Sequence, residues 1–484
     1  MLHNITIKTS PFIVWMSIQR AEQFLSKLEG YYKMKKSTAN EQLLASMLRQ
    51  NQDPGRIQKL SAVWRFSVPA ILAQLTSIMM QYIDTAMVGN LGAGASAAIG
   101  VVSTSTWLLN GLCSAVSTGF AVQAAQRIGA GQDKEARQIL KHALIFALCF
   151  SGILMTAGII ISKPLPIWLG AGTDIRQNAS AYFLIYSCSL PAFQLQSLAG
   201  SMLQCSGNMR TPAILDAAMC GLDVIFNMLF IQFWGVPGAA LGTALAAVAI
   251  CFAKLWAVCF RSPSLKINRK EPCPFRKDIL SRMISIGLPM GFEHIAICGA
   301  MILSTRIIAP LGTIAMAANS IAVTAESICY MPGYGIANAA TTLVGQSVGA
   351  GRKTLAKSFS NLSTLLGCLI MTLAGILMYF ICPWIFRMLT PDPQVQSLAS
   401  EALRIELFAE PFYAASIVAS GALRGAGDSL IPCLLNLASI WGVRLTVSVL
   451  LVGQWGLLGV WFAMCLELCV RGALLVYRQQ RFQW

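Results

Sequence analysis

The sequence predicts an all-α polytopic membrane protein, with twelve transmembrane helices in two six-helix repeats, and three observations predict it. The first is composition. Of 484 residues, 56% are hydrophobic and 12% charged, and the mean hydropathy is +0.62. Soluble domains carry about 25% charged residues, and no soluble core hides this much apolar surface. The second is a repeat. Adding 220 to a residue number turns Leu91-Gly92 into Leu311-Gly312, Gln126 into Gln346 and Gly129-Ala130-Gly131 into Gly349-Ala350-Gly351. The same register carries Pro69 to Pro289, Pro191 to Pro411, Gly207 to Gly427 and Pro212 to Pro432, so two homologous halves are expected. The third is that basic residues gather in every second connection between apolar segments.

Residues 1–60 differ from the rest. They are polar and basic, and their one apolar run, 12–18, is too short to span a bilayer and lacks a following small-residue cleavage site, so no signal peptide is expected. Two readings stand for this extension: an amphipathic cytoplasmic helix within 20–50, or translation beginning at Met34. Twelve apolar segments follow, each near the roughly 20 residues that cross a bilayer. They are 63–87, 96–121, 142–162, 179–203, 212–234 and 238–260, then 283–308, 316–341, 358–382, 402–423, 432–453 and 456–476. All are read as helices, because a lone strand leaves its backbone unsatisfied in lipid.

Counted from a cytoplasmic N-terminus, the inner connections hold Arg56, Lys59 and Arg65, then Arg127, Lys134, Arg137 and Lys141, then Arg210. They continue with the basic linker 261–281, with Arg352, Lys353 and Lys357, with Arg424, and with Arg478 and Arg481. The outer loops hold Lys163, Arg176 and Arg387. This alternation predicts both termini cytoplasmic. It also explains the net charge of +16 as a lipid-facing rim rather than a nucleic-acid surface. The expected domains are an extension 1–60, a bundle 61–260, a linker 261–281 broken by Pro263, Pro272 and Pro274, a bundle 282–478 and a tail 479–484. Six spans per half is an even number, so the repeats are parallel and a cavity between them is the expected route for a substrate.

The motifs exclude most chemistry. The nearest stretch to a nucleotide-binding loop, 345–354 (GQSVGAGRKT), places Arg352 between the glycine and the lysine and follows an apolar helix rather than a strand, so its glycines read as helix punctuation. No HExxH or GxSxG occurs, and there are three His. The 15 Cys lie mostly within apolar runs without a CxxC pair, as small buried hydrophobes do. An enzyme is not expected; ion-coupled secondary transport is.

The informative residues are ionisable groups inside apolar runs, because a charge at a helix centre costs roughly 2.5–3.5 kcal/mol on insertion scales. Asp84 lies toward the outer end of the first span, and its repeat partner is Ser304, so symmetry does not demand an acid there. Asp223 and Asn227 stand four apart on the fifth span and share a face. Facing Asp84, they would form a polar pocket able to take up a proton or to hold Na⁺ with carboxylate and amide oxygens. Asp216 lies nearer the cytoplasmic end. In the second half Glu293 and Glu326 are the candidate substrate-cavity residues, where acids would suit an organic cation. The plainer reading is ion pairing: Glu401 with Arg404, Glu467 with Arg471, and Arg306 or Arg444 neutralising Glu293 or Glu326. His294 reads as a satisfied core histidine.

Pro69, Ile83-Asp84-Thr85-Ala86-Met87-Val88-Gly89 and Leu91-Gly92 together resemble the first helix and loop of the multidrug and toxic compound extrusion (MATE) family. Val344-Gly345-Gln346 with Gly349-Ala350-Gly351, 207–212 and 423–428 resemble its later loops, and the resemblance covers about 57–484. It implies a twelve-helix exporter coupled to H⁺ or Na⁺ by alternating access, with Asp84 as the first-helix coupling carboxylate. The family's fifth-helix pair is often Asn followed by Asp four residues later; here the order is Asp223 then Asn227, which moves the charge by one turn. The expectation is therefore an antiporter for amphipathic, cationic compounds in the plasma (inner) membrane, a monomer, with no cofactor beyond its coupling ion. Its expected partners are a small-molecule substrate and membrane lipids, and no nucleic acid. The alternative is a lipid-linked sugar flippase of a related fold, which would favour a cationic cavity.

Overall fold

Lipid offers the backbone no water to bond, and among the described residues every regular element is helical. The structure is a computed structural model that describes residues 38–49, 53–268, 271 and 274–484. A start at Met34 lies outside the described residues, and of the helix read within 20–50 the part 38–49 is described and is helical. Thr38–Arg49 forms α1, Arg56–Gly89 α2, Ala93–Gly129 α3, Asp133–Ile161 α4, Arg176–Cys205 α5 and Arg210–Trp256 α6. The second half supplies α7 (Lys277–Ile308), α8 (Thr313–Gly349), α9 (Lys353–Leu389), α10 (Pro393–Glu406), α11 (Glu410–Ala426), α12 (Leu430–Leu437) and α13 (Thr446–Arg481). Eight of the helical stretches among the described residues are long and apolar enough to cross a membrane.

The repeat is written into the backbone. Positive φ occurs at Gly92 and Gly312 (105° and 95°), Gly131 and Gly351 (73° and 71°), and Gly207 and Gly427 (98° and 100°), each pair 220 residues apart. Gly235 and Gly456 match as well (58° and 56°), but at 221. The extra residue is absorbed in between, where Ala438–Leu445 is wound as a π-helix. One more residue per turn is what that winding accommodates. At Gly235 and Gly456 the chain leaves helical φ/ψ inside long helical stretches, so spans expected separately, 212–234 and 238–260, are joined without a loop. The expected span 402–423 is interrupted by a 3₁₀ turn, Leu407–Ala409, just before Pro411. The linker is shorter than expected: α7 begins at Lys277, and Arg137 and Lys141 of α4 pin the segment before it through Glu271 and the Asn268 carbonyl.

The halves interlock with their roles exchanged. A Cβ on Gly129 would collide with the backbone of Gln346, and one on Gly349 with the backbone of Gln126. The Gln126 side-chain amide donates to the Gly425 carbonyl at 3.0 Å, and that of Gln346 donates to the Cys205 carbonyl at 2.7 Å. All four residues are repeat partners, so a pseudo-two-fold axis passes between them. Higher in the bundle α8 packs on α2, with Gly335 against Ile71, and α7 packs on α3, with Gly287 against Ala115. The seam at Gln126 and Gln346 lies at the end of the bundle that carries Arg127, Lys134, Arg352 and Lys353, called here the basic end.

At that end α1 lies against the bundle. Leu44 and Met47, three residues apart on one face, are 1% and 4% exposed, whereas Gln42 and Ser46 face outward. Burial pushes the Glu41 carboxyl up from 4.5 to about 7. The docked acid thus holds its proton more tightly than the free one. Docking is strongest below about pH 4.5, weakens as pH rises toward 7, and changes no further above it.

Two predictions follow from this packing. Gly129→Val or Gly349→Val should cost about 1–3 kcal/mol by overpacking, seen as a lower melting temperature, while Gly152→Ala, which meets open space, should change nothing. Glu41→Gln should slow amide exchange of residues 42–48 relative to the parent protein at pH 8, with the gap shrinking toward pH 5; equal rates at pH 8 would show that Glu41 is not desolvated.

Candidate functional site

Three residues expected to meet do meet. α2 carries Asp84 near its end, and the first arm of α6 carries Asp223 and Asn227 one turn apart. The Asn227 amide nitrogen donates to Asp84 Oδ1 at 2.9 Å and to Asp223 Oδ2 at 3.1 Å. One amide thus bridges two carboxyls. Asp223 and Asn227 are 0% and 1% exposed. The reversal at Gly235 brings the second arm of α6 against them. Gly242 sits so close to Asn227 Oδ1 that a Cβ would collide, and Thr243, whose hydroxyl donates to the Ala239 carbonyl at 3.2 Å, lies near Asp223. Tyr182 of α5 lies within electrostatic reach of both acids.

The pocket is rich in acceptors. Asp223 Oδ1 and Asn227 Oδ1 are buried with no donor, and among the described residues no Lys or Arg pairs with either acid. Two carboxyls, one amide and one threonine hydroxyl therefore leave negative charge and hard oxygen atoms unmatched. A proton or a small monovalent cation would match both. No group of three or more His, Cys, Asp or Glu converges as a metal site among the described residues.

Asp216 is engaged elsewhere. Lys254, on the second arm of α6, meets it at 2.5 Å and is itself 4% exposed. The lysine was legible as an ionisable residue in an apolar run but was not singled out. Tyr182 and Thr243 gave no signal, because nothing local distinguishes them.

The second half is wired differently. Glu293 accepts from Arg424 at 2.7 Å and from Asn436 at 2.7 Å, so its charge is held by Arg424 rather than by Arg306 or Arg444. Glu326 is 3% exposed and feels Arg444 and Arg471, as expected of Arg444. Its other neighbours are Glu406 and Glu410, both 0% exposed, with none of their four carboxyl oxygens partnered. Glu467 pairs with Arg471 at 3.0 Å, as the i, i+4 spacing predicts. The expected Glu401–Arg404 pair is not formed. Glu401 accepts from Ser397, and Arg404 turns to the Tyr379 carbonyl and ring. His294 is not hydrogen-bond satisfied at Nδ1; it fills the seam against Gly111 and stands edge-on to Trp107.

Two homologous helical halves with stretches of membrane-spanning length, one of them enclosing a buried, acid-lined polar pocket, define a membrane transport protein. The MatE family pattern matches this chain twice, over 69–229 and 289–450, and the chain belongs to that family. The second match is one residue longer than the first, as the π-helix requires. Probable multidrug resistance proteins NorM are similar: that of Thermotoga maritima is 27% identical over 419 residues, 85% of this chain and 90% of the relative. That of Idiomarina loihiensis is 28% identical over 453 residues, 88% and 94%. In fold, a MOP superfamily transporter from Pyrococcus furiosus matches with a TM-score of 0.84 at 18% identity, covering 90% of this chain and 97% of its own. The bent form of the Vibrio cholerae MATE transporter VcmN matches with 0.80 at 17%, covering 88% and 97%.

Removing one partner of a buried ion pair costs far more than removing both. Lys254→Met should therefore destabilise by about 3–5 kcal/mol, and Lys254→Met with Asp216→Asn should recover most of it. The melting temperatures of the three variants decide this, and equal losses in single and double variants would mean that the pair is not coupled.

Proposed function

We propose that this protein is a cation-coupled antiporter, driven by H⁺ or Na⁺, that exports amphipathic, cationic organic compounds by alternating access. The observation that carries the reading is the Asn227 amide shared by Asp84 and Asp223 with no base at hand. An ion bound there stabilises the packing of α2 against α6 that holds the three oxygen-bearing groups together, and α2, which packs on α8 of the other half, passes that bias to the arrangement of the halves. Release of the ion favours the other arrangement, and that differential affinity is what couples the gradient to the movement. The names of the NorM relatives support multidrug compounds as the cargo. Acidic residues of the second half, Glu326 with Glu406 and Glu410, support a cationic one, and Glu293 would join them where its pair with Arg424 opens.

Twelve spans suit the helices. Of the eight membrane-length stretches, Arg210–Arg261 and Leu430–Arg481 turn back at Gly235 and Gly456 and count twice, giving ten. α5 and the α10–α11 stretch complete twelve. An even count with the basic end inside supports cytoplasmic termini, an orientation suited to the plasma (inner) membrane. The functional unit in this reading is one chain, with membrane lipids and its substrate as partners.

In proteoliposomes, export of a fluorescent organic cation should follow an imposed pH gradient or an imposed Na⁺ gradient, measured separately. One-for-one exchange should support about tenfold accumulation per pH unit. Asp84→Asn and Asp223→Asn should each abolish gradient-driven movement while leaving the protein folded. Undiminished export by Asp84→Asn would remove the carboxyl pair from the coupling.

A further inference from the structure

We infer that α1 is a latch across the basic end of the bundle: docked, it holds the two halves closed there, and it must let go of one half before that end can open.

The evidence is what α1 touches. On the side of the first half, Glu41 lies against the tight turn between α5 and α6, where a Cβ on Gly207 would meet Glu41 Cγ at 3.3 Å. On the side of the second half, Arg352, in the turn between α8 and α9, donates to the Met47 carbonyl at 3.3 Å and pairs with Asp53 at 2.7 Å. Leu44 and Met47 belong to one buried cluster with Phe66 of α2 and Met209 beside α6, and with Leu343 of α8 and Leu355 and Phe359 of α9. Trp484 at the chain's end packs in the same cluster. The helix is therefore seated on both halves at once.

The seat is also where the halves meet most tightly. Gln126 and Gln346 cross the seam to Gly425 and Cys205, and Thr342 of α8 donates to the Gln204 carbonyl of α5 at 3.3 Å. Parting the halves at this end moves Gly207 away from Arg352. A short helix cannot follow both, and its tether to α2 leaves the contact with Arg352 as the one to break. The apolar contact of Leu44 and Met47 with α8 and α9 is lost in that step, so docking biases the protein toward the form closed at this end. The MatE pattern begins at residue 69, beyond α1.

The inference rests on the alternating-access reading, and its test is a distance rather than transport. Spin labels are placed at Lys134→Cys and Lys353→Cys, exposed positions on opposite halves, with Cys149, Cys188 and the linker's Cys273 replaced by serine. Leu44→Asn should raise the long-distance, open population on the order of tenfold, and Gln42→Ala, on the outer face of α1, should leave it unchanged. Should Leu44→Asn fail to fold, a protease site placed between Arg49 and Asp53 and cut after purification cuts the tether of α1 in folded protein, and the same rise is expected. Identical distance distributions before and after cleavage and in Leu44→Asn would overturn the latch. Two populations at Lys134 and Lys353 that ignore α1 refute the latch alone, whereas a single fixed distance in every variant refutes the alternating movement beneath it.

Discussion

The structure depends on one backbone contact made twice. Gly129 lies on the peptide of Gln346, and Gly349 lies on the peptide of Gln126, closer than any side chain would allow. That approach puts each glutamine amide within reach of a carbonyl on the opposite half, and the two bonds to Gly425 and Cys205 follow. In lipid, association between helices draws little from the hydrophobic effect, so small residues and buried amides have to provide the fit. A seam of this kind is narrow and specific. Two backbone contacts and two amide bonds, related by the repeat, fix its register.

Symmetry of the frame sets off the asymmetry of the chemistry. The glycine turns repeat to within ten degrees in φ, yet Asp84 faces Ser304 across the repeat, and Asn227 corresponds to Ser448 once the extra residue is counted. The position of Asp223 falls in the π-helix, beside Arg444. The first half therefore concentrates unmatched acceptors around one amide. The second half pairs Glu293 with Arg424 and Glu467 with Arg471 and sets Arg444 near Glu326, while leaving the carboxyl oxygens of Glu406 and Glu410 without a partner. A duplicated frame with one amide shared by two acids in one copy and Arg-paired acids beside unpaired ones in the other gives a transporter two unlike walls.

The reversal at Gly235 has a chemical result as well as a topological one. By turning the chain back without a loop, it lays Gly242 and Thr243 against Asn227 and Asp223, and brings Lys254 to Asp216. A connection of several residues would leave both contacts to chance. The pocket and the ion pair are consequences of one left-handed residue.

By itself the sequence determined the membrane class, the two halves, the basic end and the short list of acids that had to be accounted for. These are one-dimensional properties: hydropathy, a fixed register, and the rarity of charge in apolar runs survive any packing. It also placed Asp223 and Asn227 on one face, because a helix has a fixed pitch. Tertiary structure decided the partners. That Asn227 reaches Asp84, that Glu293 belongs to Arg424, that Arg404 prefers Tyr379 to Glu401, and that Tyr182 and Thr243 line the pocket all depend on which helices lie side by side. A pairing across 131 or 143 residues leaves no trace in either segment alone, because its energy arises only when two surfaces meet.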